Sequence, residues 1–66
     1  MRDILISNGF LYLGNCNCGG TLTEKYKRDN YMIKVYPRIG KFGLYINNEL
    51  QYKKPAIELL NVINGL

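Results

Sequence analysis

Turn-forming residues interrupt this chain so often that no long element fits between them. Asn8-Gly9, Gly19-Gly20, Arg28-Asp29-Asn30, Arg38-Ile39-Gly40 and Asn47-Asn48 all contain glycine or asparagine, the residues that tolerate the positive φ of tight reversals. The segments between them have the length of β-strands, and several alternate in polarity. Tyr31 to Pro37 places Tyr31, Ile33 and Val35 on one face and Met32, Lys34 and Tyr36 on the other. Pro37, which has no N–H to give a ladder, ends that strand. Lys41 to Ile46 repeats the pattern, with Phe42, Leu44 and Ile46 inward and Gly43 and Tyr45 outward. In Thr21 to Arg28, Leu22, Glu24 and Tyr26 share one face and Thr21, Thr23, Lys25 and Lys27 the other. Half-buried strands joined by such short turns form an antiparallel meander.

The two ends of the chain complete the plan. Asn8-Gly9 between Ile4–Ser7 and Phe10–Leu13 predicts a two-residue hairpin that pairs Ser7 with Phe10, Ile6 with Leu11 and Leu5 with Tyr12. The alternative is a short helix from Asp3 with Gly9 as its left-handed terminator; the hairpin is preferred because seven residues make a poor isolated helix. At Asn47-Asn48 a three-residue loop including Glu49 sets Leu50 opposite Ile46 and Tyr52 opposite Leu44, with a last strand over 50–53. Pro55 suits a first helical position, and Ala56, Ile57, Leu59, Leu60, Val62 and Ile63 form the apolar stripe of a helix over 55–64. Gly65 is then the left-handed residue that turns Leu66 back near Leu60. The fold expected is α+β: a small antiparallel β-meander of about five strands with one C-terminal α-helix packed on one face. It forms a single domain over 1–66, β-rich over 3–53, with a core of Ile33, Val35, Phe42, Leu44, Ile46, Ile57, Leu60 and Ile63.

Composition narrows the function. With 66 residues, 47% hydrophobic and 21% charged, the chain suits one small globular domain, which at this size buries only about 60% of its unfolded surface. It lacks histidine, and Asp3, Glu24, Asp29, Glu49 and Glu58 are spread singly, so neither a Ser/His/Asp set nor a carboxylate pair is available. No glycine run has the form of a phosphate loop. These absences point to a non-enzymatic protein without a cofactor. No apolar run has the length of a membrane span, and no signal-peptide pattern opens the chain, so the expectation is a soluble, cytoplasmic protein with no membrane partner.

The net charge of +4 is unevenly distributed. Apart from Arg2, every basic residue falls between Lys25 and Lys54, interleaved with Tyr26, Tyr31, Tyr36, Phe42, Tyr45 and Tyr52. Such a surface attracts polyanions, because ammonium groups displace phosphate counterions and rings offer faces for stacking. Lys34, Arg38 and Lys41 are the candidate phosphate contacts, and Tyr36 and Tyr45 the candidate stacking or packing groups, of a nucleic-acid-binding sheet face. The plainer alternative is that Lys and Tyr simply suit the solvent side of a sheet. A second functional reading is a protein-interaction or assembly component, a homo-oligomer or a viral or mobile-element accessory factor, using the same tyrosines and the apolar N-terminal hairpin.

Cys16-Asn17-Cys18-Gly19-Gly20 resembles one knuckle of a zinc ribbon, with C-x-C in place of C-x-x-C and no second ligand pair. Metal binding at Cys16 and Cys18 then requires two chains, and the reading preferred is structural or incidental thiols over a shared metal or redox and bridging chemistry. A basic antiparallel sheet followed by one helix is similar in layout to the arm-type DNA-binding domains of phage and transposon integrases, a likeness that carries no individual residue. The segments Leu5–Phe10 and Leu59–Leu66 resemble the small messenger-RNA-cleaving toxins of the double-stranded-RNA-binding fold. That family's Gly-Ser-His motif is missing here, so the resemblance implies no catalysis.

Overall fold

The computed structural model describes residues 2–17 and 20–66. A short helix α1 (Arg2–Ser7) leads into strands β1 (Leu11–Cys16), β2 (Thr23–Arg28), β3 (Tyr31–Tyr36), β4 (Lys41–Ile46) and β5 (Glu49–Pro55). A 3₁₀ turn (Ala56–Glu58) then opens the closing helix α2 (Leu59–Asn64). The strands form one antiparallel sheet in sequence order, the meander expected from the turn spacing. None of the helices is long and apolar enough to cross a membrane among the described residues.

Register fixes which side chains share a face. One row runs Tyr12, Tyr26, Ile33, Leu44, Tyr52 across the five strands, and Glu24, Val35, Phe42 and Lys54 form the next. This inner face carries the core: Tyr26, Ile33, Val35, Phe42 and Leu44 cluster with Leu5 and Phe10 from the N-terminal segment and Leu59, Val62 and Ile63 from α2. Ile46 is only partly buried at its margin.

The N-terminal segment is a helix, not the expected hairpin. Phe10 N donates to Leu5 O at 3.0 Å and Gly9 N to Ile6 O at 3.1 Å, while Gly9 has φ +87°. These bonds define a Schellman helix end, and its usual apolar contact is supplied by Leu5 and Phe10, both essentially inaccessible to solvent. Arg28 completes the lock, donating to the Asn8 carbonyl at 2.8 Å and lying 4.9 Å from the Phe10 ring centre. A cation at the C-terminal end of a helix also suits the helix dipole. Tertiary burial thus overrides the poor intrinsic stability of so short a helix.

Further expectations give way beyond the N-terminal segment. Asn47 and Asn48 have φ of 52° and 69°, and Ile46 pairs with Glu49, so the turn has two residues and the strand starts at Glu49. Leu50 accordingly lies opposite Tyr45, and a bulge then takes up Gln51 so that Tyr52 still meets Leu44. The apolar set is kept together by a bulge rather than by a longer loop. The strand continues through Pro55, and the 3₁₀ turn shifts the phase of the helix behind it. Leu59, Val62 and Ile63 face inward, whereas Ile57 is 89% exposed and Leu60 48% exposed, so neither of those two belongs to the core. Gly65 is right-handed, with φ −89°, and the chain ends in i→i−3 bonds from Gly65 N and Leu66 N. β2 begins at Thr23 rather than Thr21, and Cys18 and Gly19 of the second reversal lie outside the described residues.

Candidate functional site

The sheet face turned away from the two helices is built by the same register. Thr23, Lys25 and Lys27 of β2, Met32, Lys34 and Tyr36 of β3, Lys41, Gly43 and Tyr45 of β4, and Leu50 and Lys53 of β5 alternate with the core residues and point outward. Within those strands the outer face holds lysines and no carboxylate, since Glu24 and Glu49 pair on the opposite side with Val35 and Ile46.

At its centre sits Gly43. A Cβ there would lie 3.2 Å from Tyr45 Cε1 and 3.4 Å from Leu50 Cδ1, so glycine is what lets these side chains lie close against the sheet. Tyr36 reaches in from β3, and its hydroxyl meets that of Tyr45 at 3.4 Å. Lys34 Nζ lies over the Tyr45 ring at 4.4 Å from its centre, and Lys53 Nζ over the Tyr36 ring at 5.1 Å. A cation over a ring face is held by the ring's quadrupole. Lys25 pairs directly with Lys34 across β2 and β3, and Lys53 pairs with Gly43 across β4 and β5. Like charges placed opposite each other on a sheet are destabilising, so the Lys25–Lys34 pair is held at a cost to the fold.

Of the five residues proposed from sequence, the fold brings Lys34, Tyr36 and Tyr45 into one cluster and puts Lys41 beside Tyr36 by register. Arg38 lies apart, exposed in the β3–β4 turn. Lys25, Lys53 and Gly43 join the cluster without having been named among the candidate site residues, although Gly43 was read as outward with Tyr45. Their signal lay in the turns: a two-residue Asp29-Asn30 loop, in which Asp29 has φ 53°, pairs Arg28 with Tyr31 and hence Lys25 with Lys34. Tyr52 inward likewise implies Lys53 outward. The arginines elsewhere are structural, Arg28 on the end of α1 and Arg2 at 4.5 Å over Tyr12.

Cys16 ends β1 opposite Thr23 and is disulfide-bonded, not the structural or incidental thiol preferred from the sequence; Cys18 lies outside the described residues. Among the described residues no group of His, Cys, Asp or Glu is placed to hold a metal ion.

Two phenols are perturbed. Burial, with the hydrogen bond to Tyr45, pushes Tyr36 up to about 12, and burial, with the 3.0 Å bond donated to Glu24, pushes Tyr26 up to about 12. Both values exceed the ordinary 10.0, so the folded state favours the protonated phenols. Their stabilising contribution is complete below pH 10 and is lost as pH rises towards 12. Thermal melts across that window should show a falling midpoint, and the decline should be shallower in Tyr36→Phe and Tyr26→Phe, which separates it from lysine deprotonation. An identical decline in both variants would refute the assignment.

Compared with protein-family models, curated proteins and solved structures, the chain has no match.

Proposed function

We propose that this chain is a non-enzymatic binding module that takes nucleic acid on the outer face of its sheet. One observation carries the reading: the row Lys25, Lys34, Gly43, Lys53 crosses four strands on a face to which those strands turn no carboxylate. A face meant only for solubility gains nothing from setting Lys25 against Lys34, whereas a phosphate backbone converts that repulsion into binding. Lys41 and Arg38 extend the positive surface towards the β3–β4 turn.

Replacing Lys25, Lys34 and Lys53 together by alanine should therefore weaken binding while leaving the melting temperature unchanged or slightly raised. If each contacts a phosphate, the slope of log affinity against log salt falls by roughly 2 to 3 on duplex DNA. The measurement is fluorescence anisotropy over a salt series, with single- and double-stranded DNA and RNA. Wild-type protein that binds none of them at about 50 mM salt, where electrostatic attraction is least screened, would sink the reading.

A second reading, assembly with a protein partner, is favoured by the edge strand β1. Leu11 is 71% exposed and Leu13 53%, and both line a cleft of about 380 Å³ with Gly9 and Arg28. A melting temperature that rises with protein concentration would support self-association there.

A further inference from the structure

The side chains of the outer face also favour one mode of nucleic-acid binding over others, given the function proposed for that face. Every cation that the ladder turns outward is a lysine: Lys25, Lys27, Lys34, Lys41 and Lys53. Arginine, asparagine and glutamine, which read base edges with paired hydrogen bonds, have no place in those outward rows. Gln51, unpaired in its bulge, donates to the Glu49 carbonyl at 3.1 Å. The tyrosines are engaged as well. Lys34 covers the Tyr45 ring, Lys53 covers the Tyr36 ring, and the two hydroxyls meet each other.

We infer that this face grips the sugar-phosphate backbone of a duplex without reading its sequence, and that Tyr36 and Tyr45 act as positioning residues for Lys34 and Lys53 rather than as stacking platforms for bases. A lysine is a flexible point charge with three donors. Resting on a ring, its ammonium is held by the ring's quadrupole, which narrows the positions that its charge takes up. The row from Lys25 to Lys53 spans three strand spacings, about 14 Å, so the charges are laid out across the strands. A duplex, with one charge per about 1.7 Å of axis, is the denser ligand for such a row. A single strand, whose extra affinity for proteins comes from bases stacking on open rings, gains no comparable advantage here.

The test uses the full chain, two duplexes of unrelated sequence and a single strand of equal length, each titrated over a salt series. The two duplexes should bind within about threefold of each other, and the single strand no more tightly than either. Tyr45→Leu keeps an apolar group over Gly43 but removes the ring beneath Lys34. It should lower duplex affinity and reduce the salt slope by about 1, as Lys34→Ala does, with the double variant no worse than Lys34→Ala alone. Tyr45→Phe, which keeps the ring, should bind like wild type. Circular dichroism melts confirm that each variant is folded, and Tyr45→Phe against Lys34→Ala still tests the idea if Tyr45→Leu is not. Loss confined to the single strand with an unchanged salt slope would show base stacking and overturn the inference while leaving nucleic-acid binding intact. So would a more than tenfold preference between the duplexes. Absence of binding to any of the three overturns both.

Discussion

Leu59→Ala is expected to lower unfolding stability by about 2–5 kcal/mol, the range for truncating a buried leucine in a close-packed core. Leu59 is 1% exposed and belongs to the cluster that holds Ile33, Phe42 and Leu44. In so small a domain that loss takes a large share of a total stability of about 5–15 kcal/mol at most, and partial unfolding at room temperature should be visible in a urea titration. Leu60→Ala is the paired control. With Leu60 48% exposed, its truncation should stay within about 0.5 kcal/mol of wild type. Equal effects at the two positions would show that α2 is rotated from the orientation described.

Phe10→Ala should be comparably severe, at about 3–5 kcal/mol, because the ring fills the junction between α1 and the sheet. Phe10 is 1% exposed, closes the Schellman end on Leu5 and lies beneath the Arg28 guanidinium. Leu11→Ala, one residue on and 71% exposed, should cost almost nothing. The comparison separates the helix from the hairpin that the local sequence suggests, since a hairpin sets Phe10 against Ser7 and Leu11 against Ile6. Denaturant midpoints for the two variants decide it, and a midpoint for Phe10→Ala close to that of wild type would mean α1 is not docked.

The contrast between what was legible and what was not comes from the range of the forces involved. Strands β3 and β4 alternate over six residues each and are bounded by turns, so their faces, and with them Lys34, Tyr36 and Tyr45, can be read from spacing alone. Asn8-Gly9 is ambiguous because a type I′ turn and a Schellman end both ask for glycine at positive φ. What decides between them is whether Phe10 can be buried against Leu5, a fact about the rest of the molecule. The helix stripe misled for a similar reason: starting the count at Pro55 assumes an α-helical phase, and the 3₁₀ turn at Ala56–Glu58 moves Leu59 in and Leu60 out. Lys25 and Lys53 were legible in principle. Their place in the row depends on cross-strand register, which two-residue loops transmit from one strand to the next.

Both outermost strands of the sheet are irregular, β1 between Tyr12 and Gly14 and β5 at Gln51. A bulge breaks the even ladder that a strand from another molecule needs for addition, and Pro55 and the adjacent lysines further blunt the β5 side. The sheet is thereby protected against open-ended, amyloid-like growth, even though Leu11 and Leu13 leave apolar surface along one border. Assembly through that border would therefore rest on side-chain contacts rather than on an added strand, and a two-fold pairing of the Leu11 and Leu13 surface with its copy would close as a dimer.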